Sequence, residues 1–283
     1  MNLTALMPVR NESWILGLSA RVALLWCDEL VMLLHACTDN SAAIAEQVQN
    51  EHKGRVHILV EQDEKWDEMH HRHTLLCAAR SFGATHIALI DADEILVNHL
   101  ALTRMYVDNL DAGKYLQIPL YNTRGSHTRY HVNGTWGNRW VTVAFVDDVR
   151  LHWTGDRFHH REPAGLNLQA WRPMQHGQGG VMHLWGASER RLRAKHALYK
   201  MTEAVRFPHK PKMQIDAYYN LAMLDLGWKY AEVPAEWWRQ YHDAGLMNHL
   251  RVEAEPWQEH ECQRLIEEHG KQRFDGLNLF GVV

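Results

Sequence analysis

Cysteine is scarce: Cys27, Cys37, Cys77 and Cys262 are the only four among 283 residues, and none stands in a CxxC spacing. Three lie in apolar or helical runs, where a free thiol acts as a small hydrophobe. A disulfide framework and a zinc ribbon are therefore not expected, and a reducing compartment is. No run approaches the ~18 apolar residues needed to span a bilayer, and the opening MNLTALMPVRNE lacks the apolar stretch of a signal peptide. The expectation is a soluble cytoplasmic protein without a transmembrane segment. An excess of basic charge is also missing, because 30 Lys and Arg against 34 Asp and Glu leave a net charge of -4. That argues against a general nucleic-acid binder and leaves room only for a local basic groove. No internal repeat or low-complexity segment is present.

What is present suits a large core, with 46% hydrophobic and 23% charged residues. This fits one big domain, or one domain with a sizeable extension. Histidine (21) and tryptophan (12) are both frequent. Tryptophan provides flat faces for sugar rings or bases, and equally well provides core volume.

The first hundred residues alternate short apolar runs with longer amphipathic ones, the mark of βαβ units around a parallel sheet. Strands are predicted at 3–7, 29–36, 55–60 and 86–90. Helices are predicted at 14–25, capped by Asn11 or Ser13, at 42–51 and at 65–82, the last stopped by Gly83. Ligands gather beyond the carboxyl ends of such strands. Pro8 to Glu12, Thr38 to Ser41, Glu61 to Asp63 and Asp91 to Glu94 all fall there. Further strands are expected at 115–120 and 141–146, separated by the polar stretch 122–139 with Arg124, Arg129, Trp136 and Arg139. A β-like run over 149–160 and helices at 189–207, 215–230 and 256–270 complete the reading. Trp228, Trp237, Trp238 and Tyr241 are expected to pack helices against the sheet, with a sugar platform as the alternative.

Asp91-Ala92-Asp93 sets two carboxylates on one side of an extended segment. The pair suits a hard divalent ion that also grips phosphate oxygens, and as a bare motif it equally suits a turn or a helix cap. Pro8-Val9-Arg10-Asn11-Glu12, Thr38-Asp39-Asn40-Ser41 and Asp91-Ala92-Asp93-Glu94-Ile95-Leu96, taken in order, resemble family 2 glycosyltransferases of the GT-A fold. The run Arg80-Ser81-Phe82-Gly83-Ala84-Thr85-His86 is similar to that family's helix-to-strand turn. The likeness covers residues 1–100 well and continues more loosely to about 207.

The resemblance implies an α/β, Rossmann-like, mostly parallel sheet flanked by helices. It implies a nucleotide-binding half at 1–100, an acceptor-side half at 101–207 and a helical C-terminal extension at 208–283. Pro8, Arg10 and Glu12 would line the nucleobase and ribose pocket, Asp39 would read the base, and Arg72 and Lys195 would approach the diphosphate. Asp91 would contact the ribose or the ion, and Asp93 would ligate Mn2+ or Mg2+. His183, in Gly179-Gly180-Val181-Met182-His183, would be a distal ligand. The general base of an inverting transfer is sought in 153–162, with Glu162 first and Asp156 second, and Asp147 or Asp148 third.

The function implied is transfer of a sugar, in the hexosyltransferase class, from a nucleotide-diphosphate sugar, UDP favoured, to an acceptor hydroxyl on a glycan, a small molecule or a modified nucleic acid. Three alternatives stay open: a viral-type DNA glycosyltransferase acting on a hydroxymethylated base, a metal-dependent phosphohydrolase or nucleotidyltransferase, and a non-catalytic carbohydrate-binding module.

Overall fold

The computed structural model describes every residue except 156–159, 222, 225 and 226. The chain forms two compact units: Met1–Tyr121, Trp136–Leu184 and Pro234–Arg251 make the first; Asn122–Thr135, Trp185–Val233 and Val252–Val283 make the second. Each is described by itself.

The first unit is built on β1 (Leu3–Val9), α1 (Leu16–Ala23), β2 (Glu29–His35), α2 (Ser41–Glu51), β3 (Val56–Glu61), α3 (Glu68–Ser81) and β4 (His86–Leu89). It continues with β5 (Glu94–Val97), α4 (Leu100–Asp108) and β6 (Lys114–Asn122). The second unit contributes β7 (Arg129–His131), after which β8 (Arg139–Val146), β9 (Gln169–Trp171) and β10 (Gly180–His183) return to the first. The strand order is β3-β2-β1-β4-β8-β6-β10-β5, with β9 against β6.

Pairing is parallel across β3, β2, β1 and β4, as the βαβ pattern predicts. Beyond β4 the sheet is mixed, because β8 runs antiparallel to both β4 and β6, and β10 antiparallel to β5. No strand forms over the described part of 149–160, where His152 makes only an isolated bridge to Ala164. β1 also runs two residues past its predicted end, through Pro8 to Val9. The Leu6 carbonyl bonds Ile90 N on the β4 side, and β4 pairs no further than Leu89. Two residues on, Pro8 faces that same side where the neighbouring strand has stopped, so its missing N–H breaks no ladder bond.

Alternation along the strands sorts the core onto two faces. Leu3, Ala5, Met7 and Val9 pack with Leu16, Ala20, Ala45, Val48 and Val107 of α1, α2 and α4. Leu6, Val31 and Leu33 pack on the other face with Met69, Leu75, Leu76 and Ala79 of α3. Each Leu, Val or Met among them contributes roughly 1.5–3 kcal/mol by leaving water.

The second unit holds α5 (Glu189–Arg206), α6 (Lys212–Asn220), β11 (Tyr230–Glu232) and, after the excursion 234–251, α8 (Trp257–His269). Ala197, Leu198 and Met201 of α5 pack with Ile215, Cys262 and Leu265. The helix predicted at 215–230 is thus α6, ending at Asn220, with a strand, β11, at its far limit.

Residues 234–251 belong to the first unit because α7 (Ala235–Asp243) buries Trp237, Trp238 and Tyr241. The Tyr241 hydroxyl donates to the Leu96 carbonyl of β5, and Arg251 N donates to Trp14 O at 2.8 Å. These aromatics are packing residues, as expected; Trp228 lies in the second unit against the His131 ring. Among the described residues no helix is long and apolar enough to cross a membrane.

Gly180 opens β10 at φ +148°, and a Cβ there would fall 2.2 Å from the Pro119 carbonyl oxygen. Gly180→Ala is expected to lower stability by about 2–4 kcal/mol through clash and strain. Gly83→Ala, also at positive φ but with no atom near the new methyl, should cost only about 1 kcal/mol. Urea midpoints of the two variants check the difference.

Candidate active site

The rim beyond the carboxyl ends of β1, β2 and β4 is cross-tied by short polar side chains. Asn11, at φ +55°, accepts from Thr38 N (2.7 Å) and Asp39 N (3.1 Å) through its Oδ1. Asp39 accepts from Ser13 N (3.0 Å) and Ser41 N (2.9 Å), one bond on each carboxylate oxygen. Glu12 N donates to Ser41 Oγ at 2.9 Å, and the Trp14 indole donates to Glu12 Oε2 at 2.5 Å. Asn11 therefore splices the first two loops and caps no helix; α1 begins at Leu16 with no side-chain cap. Asp39, expected to read a base, is first of all the acceptor for two rim N–H groups.

Arg10 donates to the Glu64 carbonyl (3.0 Å) and lies 3.2 Å from His35 Nδ1. A guanidinium can only donate, so His35 accepts there and is neutral. Trp66 and His71 close around it, with ring centroids 5.4 and 4.3 Å from that of His35.

The Asp91–Glu94 turn joins β4 to β5, and its three carboxylates have different partners. Glu94 Oε2 accepts from Asp91 N at 3.0 Å, closing the turn on itself. Arg72 of α3 pairs through Nε with Glu68 (3.1 Å) and through Nη2 with both oxygens of Asp91 (3.3 and 3.4 Å). Arg161 grips both Glu94 oxygens at 2.7 Å, reaches Asp91 Oδ2 at 3.4 Å and donates to the Leu89 carbonyl. Burial alone would raise the pKa of Asp91, but Arg72 and then Arg161 outweigh it and hold the carboxyl below its usual range. Burial would likewise weaken the charge on Arg161, and Glu94 and Asp91 more than restore it.

Asp93 has a histidine beside it. β10 pairs antiparallel with β5 so that His183 lies opposite Glu94, and Leu184 N donates to Asp93 O at 2.9 Å. That register brings His183 Nε2 to 3.4 Å from Asp93 Oδ1, both side chains being largely buried. Two donors on one ion with bonds of ~2.1 Å at a right angle lie about 3 Å apart, so the pair fits a divalent cation whose other positions come from phosphate and water. An imidazole donor favours Mn2+ over Mg2+, which prefers oxygen alone. Among the described residues no cluster of three His, Cys, Asp or Glu converges on one point.

Glu162 is held through a relay. Thr142 Oγ1 donates to Glu162 Oε1 (2.6 Å) and accepts from Gln117 Nε2 (3.1 Å), while Arg172 Nε donates to Gln117 Oε1 (2.7 Å). Through its neighbour Arg161, Glu162 is adjacent in the chain to the residue that grips the Asp91–Glu94 turn. Asp156 lies outside the described residues. Asp147 and Asp148 do not join the site: β8 is antiparallel to β4, and Asp147 N bonds Thr85 O at the start of β4. They stand on the order of 15 Å of strand from Asp91, with Asp147 bound by both arms of Arg80. Lys195 is on α5 of the second unit. In the stretch 122–139, Arg124 pairs with Glu189 (2.9 Å) and Arg129 lies over the Tyr230 ring, so both are built into the second unit. Arg139 begins β8.

No protein-family model matches the sequence. No curated protein matches it either. Solved structures similar to the chain include TarS and a glucosyl-3-phosphoglycerate synthase. S. aureus TarS 1-349 in complex with UDP is 17% identical, with a TM-score of 0.38 over 44% of this chain and 37% of that one. Another structure of S. aureus TarS 1-349 is 12% identical, with a TM-score of 0.45 over 96% of this chain and 90% of that one. Glucosyl-3-phosphoglycerate synthase from Mycobacterium tuberculosis, in complex with Mn2+, UDP and glucosyl-3-phosphoglycerate, is 18% identical, with a TM-score of 0.32 over 45% of this chain and 46% of that one. In the first and third of these the matched part is under half of the other chain's length. At these scores the likenesses carry no residue roles to this chain; its own geometry must supply them.

Burial, and after it the neighbouring His35 and His70, push the His71 pKa down to about 4. The folded protein thus binds this proton more weakly than the unfolded chain, and the stability linked to His71 is complete above pH ~6.5. It is lost as pH falls from there toward 4. His71→Phe should flatten the dependence of the urea midpoint on pH across that window; an unchanged slope would contradict the assignment.

Proposed function

We propose that the chain is a metal-using, nucleotide-sugar-dependent glycosyltransferase of the inverting kind. One observation carries this reading: the β5–β10 register brings Asp93 and His183 together at the end of β4, on the rim where an α/β sheet gathers ligands. Asp93 and His183 would hold Mn2+, or less favourably Mg2+. When bound, the ion supplies positive charge against the departing diphosphate. Arg72 and Arg161 keep Asp91 ionised and fixed in the turn, leaving it to face the ribose or a water.

Glu162 would act as the general base, taking the acceptor hydroxyl proton as that oxygen attacks the anomeric carbon and the bond to the nucleoside diphosphate breaks. The Thr142 hydroxyl fixes one carboxylate oxygen of Glu162, which is how a base is held for a single trajectory. The rim formed by Pro8, Arg10, Glu12, Asp39 and the Trp66–His71 pair would take the nucleotide. A site with two metal ions is poorly supported, because Arg72 and Arg161 already hold Asp91, Glu94 and Glu68. An acceptor of nucleic acid is no better supported, with Arg124 and Arg129 engaged inside the second unit.

A thermal-shift panel of UDP-, GDP-, CMP- and dTDP-sugars, each with and without Mn2+, tests the reading. One nucleotide sugar at ~100 times its dissociation constant should add roughly 2.7 kcal/mol, and only with metal. Absence of any shift would sink the proposal. With the donor identified, Asp93→Asn should abolish the metal-dependent shift. Glu162→Gln should keep that shift and lower turnover by about 10²–10⁴-fold; a Glu162→Gln enzyme of normal rate would remove Glu162 from the mechanism.

A further inference from the structure

A buried side-chain amide can bond in either of two orientations, and at Gln117 the choice decides what reaches Glu162. Gln117 of β6 and Thr142 of β8 stand opposite each other, beside a register shift between Leu116 and Gln117. Such irregularities re-aim a side chain. Thr142 is 1% exposed and Gln117 8%. Arg172 lies at the surface, its guanidinium carbon 5.2 Å from the centre of the Trp140 ring. We propose that Arg172 is a positioning residue that fixes the direction of the hydrogen-bond chain ending on Glu162. The inference rests on the reading of Glu162 as general base and deepens it.

The direction follows from donor and acceptor chemistry. Arg172 Nε stands 2.7 Å from Gln117 Oε1 and can only donate, so the amide presents its oxygen to Arg172. The amide nitrogen, also only a donor, therefore faces Thr142 Oγ1 at 3.1 Å. With its oxygen engaged as an acceptor, the Thr142 hydroxyl turns its one proton to Glu162 Oε1. That oxygen is 2.6 Å away, within the range of a bond to an ionised carboxylate. Every proton of the chain thus points toward Glu162. Were the amide reversed, its oxygen would draw the Thr142 proton, and the hydroxyl would turn a lone pair on the carboxylate. Arg172 disfavours that reversal, because it would set an NH2 group against a guanidinium. Oε1 of Glu162 is thereby tied by Thr142, and the acceptor proton goes to Oε2. A base held in this way offers one oxygen along one line, as proton transfer requires.

The test is a double-mutant cycle on hydrolysis, by water and with Mn2+ present, of the nucleotide sugar that gives the thermal shift. Thr142→Val keeps the shape of the side chain and removes the hydroxyl. It should lower kcat about tenfold and leave the donor KM unchanged. Thr142→Ser, which restores the hydroxyl, should recover most of that loss. Arg172→Met keeps an unbranched stem beside Trp140 and frees the amide to turn, and should lower kcat about threefold. In the Thr142→Val background the same Arg172→Met change should have no further effect, because the chain it directs is already cut. A role through surface charge or packing alone would lower kcat equally in either background, and that result would overturn the proposal. Arg172→Met at the wild-type rate would do the same. A second measurement is independent of turnover. The Gln117 side-chain NH2, assigned in 15N-labelled protein by its loss in Gln117→Met, should exchange with solvent at least about tenfold faster in Arg172→Met than in wild type. Equal exchange rates would also overturn the proposal. Glu162→Gln at the normal rate would instead remove the base assignment, and a wild type that turns over no nucleotide sugar the transferase reading, each taking this inference with it.

Discussion

The antiparallel register between β10 and β5 is the constraint on which the candidate site depends. Slipping it by one residue would turn every side chain of β10 to the other face of the sheet and carry His183 away from Asp93. Gly180 allows β10 to start hard against the Pro119 carbonyl, and the bond from Leu184 N to Asp93 O closes the far end. The strand has four residues, and both of its ends are pinned. The approach of positions 93 and 183 is thereby produced by backbone pairing, before any side chain chooses a rotamer.

A second constraint is electrostatic. Four carboxylates, Glu68, Asp91, Asp93 and Glu94, crowd the end of β4, where Arg72 binds Glu68 and Asp91, and Arg161 binds Asp91 and Glu94. Burying such charges is costly unless hydrogen bonds satisfy them, and here each arginine spans two partners. The arrangement fixes the turn, with Asp91 between two arginines and Asp93 beside a histidine. A network of this kind adds more to geometry than to stability, and geometry is what a site for one ion needs.

Much of the rim could be read from the sequence, since its signals are local. The βαβ alternation set the parallel strands, and the polar clusters after β1, β2 and β4 lie at their carboxyl ends as expected. The short strand that sets His183 beside Asp93 was legible because two glycines, a short apolar run and a histidine form a compact pattern. Arg161 was not, because its partners lie 67 to 72 residues away and no local pattern connects them. Asp39 lies on the rim as expected, and its carboxylate also accepts from the backbone N–H groups of Ser13 and Ser41, contacts no local pattern announces. The antiparallel direction of the other half was hidden, although its strands at 115–120 and 141–146 were expected, and β5 is too short to show a period. The return of 234–251 to the first unit depends on Tyr241 reaching Leu96, a bond across 145 residues.

The account turns on where an ion would bind. Crystals grown with Mn2+ and UDP, measured at a wavelength where manganese scatters anomalously, locate it directly. The account predicts one strong peak about 2.1–2.3 Å from both Asp93 Oδ1 and His183 Nε2, with Asp91 still clasped by Arg72 and Arg161. A peak on Asp91 and Glu94 with the arginines displaced, or no peak at the end of β4 while UDP is bound, would contradict it.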